Sequence, residues 1–116
     1  MNIRNRTYCV SDIYRLDSIP YTGYGSCAAI LDTGIYPHPD IADHIAHFED
    51  FINGRKHAYD DNSHGTHVAG IIAGNGFSSQ GILKGMAPGC RIVALKILDK
   101  KGNGDKNSLL NACSWI

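Results

Sequence analysis

Residues 27–34 read CAAILDTG, five apolar or small residues in an unbroken run and then Asp32, Thr33 and Gly34. A strand with one wet face alternates, and this run does not. It is also too short for a stable helix, and it follows the glycine-bearing turn TGYG at residues 22–25. The pattern predicts a strand covered on both faces, as in a parallel sheet. Asp32 then stands at the carboxyl end of that strand, where ligands and catalytic groups gather in α/β folds. An unpaired carboxylate beside a buried strand is costly. On position alone, capping the Thr33–Gly34 turn through local hydrogen bonds accounts for Asp32 as well as a functional role does.

The rest of the chain extends this reading. Pro37 and Pro39 preclude a regular long helix in YPHPDI (residues 36–41). IAHFEDFI (45–52) reads as a second strand with a turn at Asn53 and Gly54. Residues 64–74 have helical spacing: His64, Val68, Ile71 and Ile72 share a face, and Ala69 and Ala73 allow close packing. Gly74 and Gly76 then stop the helix. Arg91 to Leu98 reads as a further strand, KKGNGD (101–105 with Lys100) as a turn, and 108–116 as a helix with Leu109, Ala112, Cys113 and Ile116 on one side. Strand, loop, strand, helix, strand, helix is the order of a doubly wound α/β fold with a mostly parallel sheet. The amphipathic pattern is still running at Ile116, so residues 22–116 read as the incomplete N-terminal part of a larger domain, with 1–21 as an N-terminal extension.

Bulk properties exclude several classes. Lys plus Arg and Asp plus Glu are 11 each, so no positive field recruits nucleic acid or anionic lipid. No apolar stretch approaches the roughly 20 residues that span a bilayer. The N-terminus MNIRNRTYCVSDIYRL lacks the uninterrupted apolar core of a signal peptide. Cys9, Cys27, Cys90 and Cys113 are widely spaced with no CxxC; two disulfides are arithmetically possible, but without a secretion signal reduced thiols and a cytoplasmic location are expected.

His64 is the second chemical candidate. By itself, a histidine at the start of a helix is better explained as a satisfied structural ring. With Asp32 at the end of a neighbouring strand, the balance reverses. A carboxylate would fix the imidazole tautomer and stabilise the imidazolium formed when the ring takes a hydroxyl proton. His67, three residues on, reads as structural, with one ring nitrogen donating to backbone. Two rivals carry less weight. His38, His44, His47, His64 and His67 with Asp32, Asp40 and Asp61 offer zinc ligands, but Gly65 stands where HExxH needs its glutamate. Leu31-Asp32-Thr33-Gly34 has the form of an aspartic-protease site, but the helical 64–74 segment suits an all-β fold badly.

Together the ordered blocks AAILDTGIYPHPDI, DDNSHGTHVAGIIAGNG, GILKGMAPGCRIVALKILDKKGNG and SLLNACSWI resemble the subtilisin-like serine proteases from about Thr22 to Ile116, closest to bacterial forms without an evident secretion signal. DTG alone is a weak signal; HGTHVAG following it at this spacing is a strong one. The resemblance implies a subtilisin-like fold, Asp32 as the triad aspartate and His64 as the general base. It implies that Gly102, Asn103 and Gly104 form an extended segment that pairs with a substrate strand, so that substrates are protein or peptide segments read through their main chain. Asp40 resembles a residue that ligates calcium in many relatives, although the loop GNGFSSQGILKG lacks the usual oxygen-rich pattern. No cofactor is needed for the chemistry the resemblance implies.

The resemblance also places the nucleophilic serine in a later Gly-Thr-Ser segment, and the oxyanion-hole asparagine on a later segment too. Ser63, Ser78, Ser79, Ser108 and Ser114 lie in neither Gly-Thr-Ser nor GxSxG. Since triad members act as a unit, the 116 residues by themselves are expected to be inactive. The parent protein reads as a serine endopeptidase. The alternative is a truncated or degenerate non-catalytic relative that serves as a binding or scaffold module.

Overall fold

The computed structural model describes residues 13–15 and 18–116; Cys9 and most of the proposed 1–21 extension lie outside the described residues. Three parallel strands form one sheet: β1 (Cys27–Asp32), β2 (Ile45–Asp50) and β3 (Arg91–Lys96), in the order β1-β3-β2. Among the described residues the two α-helices with assigned bounds are α1 (His64–Ala73), between β2 and β3, and α2 (Lys106–Trp115), after β3. β3 is the central strand. Asp32 and Asp50, the last residues of β1 and β2, lie in register on either side of Lys96.

The sheet has a core on each face. Ile30, Ile92 and Ala94 pack with Ala69 and Ala73 of α1 on one side, joined by Ile35, Ile41 and Cys90. Leu95, Ile97 and Ala112 of α2 form the second cluster, with Leu31 and Val93 packed against it. Helices on opposite faces of a parallel sheet make this the doubly wound α/β arrangement that the element order predicts.

Several boundaries differ from the expectation, each for a local reason. β2 stops at Asp50 because its carboxylate accepts the N–H groups of Ile52 and Asn53, which turns the chain. β3 stops at Lys96, two residues early, because Ile97 and Leu98 both donate to the Asp32 carbonyl and leave the ladder. α2 starts at Lys106 because Asp105 caps it, accepting the Ser108 N–H at 2.7 Å.

The packing faces also differ from the expected ones. α1 buries Gly65, Ala69 and Ala73, and Ile71 is exposed, so small residues rather than the His64/Val68/Ile71 stripe meet the sheet. β1 is not covered along its whole length: Cys27 and Ala29 are exposed, and on their face only Leu31 joins the second cluster. On α2 Ser108 and Ala112 are buried, while Leu109, Cys113 and Ile116 are exposed. Cys27, Cys90 and Cys113 are free thiols, and of the three only Cys90 is buried. Among the described residues no helix is long and apolar enough to cross a membrane.

Candidate functional site

The carboxyl end of β1 and the amino end of α1 meet above the sheet, and the meeting depends on Thr33. Its Oγ1 accepts the Gly65 N–H at 2.9 Å and donates to Asp60 Oδ1 at 2.9 Å. Asp60 is the centre of the junction. It also accepts the N–H groups of Asn62, Ser63 and Thr66 and the Thr66 hydroxyl. Ser63, at the N-cap position with φ 83°, makes no side-chain cap. The first three amides of α1 instead go to Asn62 Oδ1, Thr33 Oγ1 and Asp60 Oδ2. These are the amides that a helix leaves without an internal partner.

Burial pushes the Asp60 carboxyl upward, but the hydrogen bonds from Thr66, Ser63 and Asn62 outweigh it and hold the pKa at about 2. An ionised carboxylate at a helix N-terminus also faces the positive end of the macrodipole. Gly34 and Asp60 form an isolated antiparallel bridge, and the Ile35 N–H donates to the Tyr59 carbonyl. The segment after β1 and the segment before α1 are therefore tied through both backbone and side chains.

That junction brings Asp32 and His64 together. His64 Nδ1 lies 2.9 Å from Asp32 Oδ1 and 3.0 Å from Oδ2. Asp32 Oδ1 also accepts the Thr33 N–H at 2.7 Å. The carboxylate is nearly enclosed, with its side chain 13% exposed, while the imidazole is 64% exposed. An ionised carboxylate can only accept, so Nδ1 carries the proton and donates it. Nε2 then keeps its lone pair on an exposed ring, the tautomer a general base requires.

Below the pair lies Lys96, fully buried at the end of β3. Its Nζ donates to the Thr33 carbonyl at 2.6 Å, to Asp61 Oδ1 at 2.8 Å and to the Leu98 carbonyl at 2.8 Å. The Tyr59 ring lies 5.3 Å from the same ammonium. Tyr59 donates its hydroxyl to Asp50 Oδ2 at 2.6 Å. Burial would raise the Asp50 carboxyl, yet the bonds from Tyr59, Asn53, Ile52 and Arg55 hold it below its ordinary value.

The remaining predicted residues fall elsewhere. Gly102 lies at φ 80°, and its N–H donates to the Asp99 carbonyl, so the Gly102–Gly104 run bends at its first residue instead of being extended there. The Asn103 N–H goes to Asp99 Oδ1 and its carbonyl accepts from the Asp99 N–H. Asn62 Nδ2 reaches the Lys100 carbonyl at 3.0 Å, linking this loop to the lead-in of α1. Asp40 lies between β1 and β2 and is bonded to the loop that follows α1: its Oδ1 accepts the Ser78 N–H at 2.7 Å, and its carbonyl accepts the Asn75 N–H. A donor aimed at that carboxylate occupies a direction a cation would need, and among the described residues no group of three or more His, Cys, Asp or Glu could hold a metal ion.

The histidines proposed as zinc ligands have separate partners: His44 Nδ1 meets the Cys90 carbonyl, and His47 meets Glu49 and stacks on Trp115. His67 is exposed, and its ring makes no hydrogen bond among the described residues, contrary to the backbone bond expected of it. The parallel sheet removes the aspartic-protease reading, which needs an all-β site.

A protein-family model described as the subtilase family, Peptidase S8, matches residues 23–116. The chain belongs to the subtilase family. It is 44% identical over 94 residues to serine protease AprX of Bacillus subtilis, covering 81% of this chain and 21% of that protein. It is 42% identical over 94 residues to subtilisin Savinase of Lederbergia lenta, covering 81% of this chain and 34% of that protein. A crystal structure of a cold-adapted subtilisin-like serine proteinase superposes with a TM-score of 0.71 at 29% identity, over 83% of this chain and 33% of the other. The subtilase chain described here thus spans between about a fifth and a third of the length of these relatives.

Proposed function

We propose that this chain carries the aspartate and the general base of a serine endopeptidase. One observation carries the reading: His64 Nδ1 bridges both oxygens of an enclosed Asp32 while the rest of the ring is exposed. Names given to its subtilase relatives, serine protease and subtilisin, support the same reaction.

The steps follow from the tautomer. His64 Nε2 takes the proton of a serine hydroxyl supplied by sequence outside these residues. The serine oxygen attacks the scissile carbonyl carbon, and Asp32 stabilises the imidazolium that forms. Collapse of the tetrahedral intermediate breaks the C–N bond, and His64 returns the proton to the leaving amine. A water, deprotonated by the same nitrogen, then cleaves the acyl ester and regenerates the hydroxyl. Substrates are protein segments in extended conformation, recognised through their main chain. Calcium takes no part in these steps. A cytoplasmic location is supported by the exposed free thiols of Cys27 and Cys113, which an oxidising compartment would attack.

The test is hydrolysis of unfolded casein by the full-length natural protein, compared with His64→Ala. Hydrolysis lost in the variant supports the reading. No hydrolysis, or hydrolysis that survives the substitution, overturns it and leaves the non-catalytic binding module.

A further inference from the structure

Lys96 has no role in the proton transfers, yet among the described residues it is the largest fully buried side chain. Taking an ammonium out of water is costly unless its three donors are all used. Here all three are used, and on three different segments. Thr33 follows Asp32 directly, Asp61 lies three residues before His64, and Leu98 leads into the loop that holds Gly102–Gly104.

We propose that Lys96 is a positioning residue that fixes the separation of Asp32 and His64 by pinning the Thr33 carbonyl and the Asp61 carboxylate to one buried point at the end of β3.

The geometry has the features such a role needs. The Lys96 backbone is paired in register with Asp32 across the ladder, so the side chain starts from beneath the carboxylate it serves. Its reach past β1 ends on Thr33, whose hydroxyl and carbonyl are then both committed, the one to Gly65 and Asp60 and the other to Nζ. Around the ammonium the facing groups are Asp61 from the α1 lead-in and Tyr59, itself bonded to Asp50 of β2. Thr33 and Leu98 thus present carbonyls, Asp61 an anion and Tyr59 an aromatic ring to the same nitrogen. Dispersion packing could fill this space with Leu or Met at no desolvation cost, but an apolar side chain would not hold three segments at hydrogen-bond distances.

The experiment compares the full-length protein with Lys96→Met, following kcat, KM and the acid limb of the kcat/KM profile, together with the His64 Nδ1 proton resonance. It rests on the endopeptidase reading only for the kinetics; the resonance reports on the pair whether or not the protein cleaves anything. Loss of a nearby cation by itself favours a charged imidazole, whereas a loosened carboxylate partner disfavours it, so the two effects have opposite signs. The positioning role predicts kcat down by about tenfold or more with KM within about twofold, an acid limb moved to lower pH, and an upfield, broadened Nδ1 proton. A folded Lys96→Met protein with an unmoved resonance, or with an acid limb moved upward, overturns the proposal. Should Lys96→Met not fold, Asp61→Asn decides through the resonance, since Asp61 is partly exposed. An unchanged Nδ1 proton in that variant overturns the proposal equally. Wild-type protein without His64-dependent hydrolysis sinks the endopeptidase reading and leaves the resonance test standing.

Discussion

Gly65 in the first turn of α1 is seated directly against Gly34, so closely that a methyl group at position 65 would overlap the Gly34 carbonyl oxygen. Neither backbone can retreat. Gly34 is held by its bridge to Asp60, and the Gly65 N–H is bonded to Thr33 Oγ1. Gly65→Ala is therefore expected to cost about 3 kcal/mol, at the upper end of ordinary overpacking. Gly70, in the same helix, has open space where its Cβ would lie. Gly70→Ala is expected to be neutral or to stabilise by up to about 1 kcal/mol through helix propensity. Urea unfolding of both variants checks the pair, and equal midpoints would contradict the close contact.

Thr33 gives a second test. Thr33→Val keeps the shape and removes the hydroxyl, leaving the buried Gly65 N–H with no acceptor. An orphaned buried donor costs about 1–3 kcal/mol. Thr33→Ser keeps the oxygen and should lose much less. If the two variants unfold at the same urea concentration, Thr33 Oγ1 is not the link between β1 and α1.

Acid should expose the part played by Asp60. Its native pKa of about 2 lies below the ordinary 3.8, so the unfolded chain binds this proton more readily than the folded one. The stability it contributes is complete above about pH 4 and is lost as pH falls through about 2. Asp60→Asn should flatten the dependence of the urea midpoint on pH in that interval without abolishing it, because Asp50, Asp99 and Asp105 are also held below their ordinary value. An unaltered slope in the variant would show that Asp60 does not carry the predicted linkage.

Calcium offers the fourth test. A ligand that binds only the folded state raises Tm with its concentration, so a protein without such a site should shift by less than about 1 °C between excess chelator and millimolar calcium. The Asp40–Ser78 hydrogen bond leads us to expect that null shift. A rise of several degrees with calcium would show that oxygen ligands assemble in spite of it.

The chemical pair was more legible in the sequence than the frame that holds it. Asp32 stood out because a carboxylate follows an apolar run, and His64 because it opens a small-residue helix; each position has a local signature. Asp60 and Lys96 do not. Asp60 sits in DDNS, where any of the polar residues could cap a helix, and only the fold shows that Asp60, rather than Ser63 at the N-cap, takes the amides. Lys96 stands inside the apolar run RIVALKIL, which says nothing of what its ammonium meets. Its three acceptors come from separate segments, and no spacing along the chain announces them. Strand ends were missed for a related reason: Asp32 and Asp50 stop β3 and β2 by accepting amides from residues just beyond, and hydrophobic pattern is blind to an acceptor. Gly102 was misjudged because a glycine-rich run is compatible with both an extended edge and a tight turn.

Among the described residues β1 and β2 pair only with β3, so neither has a ladder partner there until Arg91–Lys96 has left the ribosome. Asp32 and His64 emerge well before that, but the lysine that ties their segments together belongs to the last of the three strands. During synthesis the pair therefore has to wait for sequence that contains neither of its members. A nascent chain stopped short of β3 should hold Asp32 and His64 only through the Thr33–Asp60 junction, without the tie that Lys96 supplies.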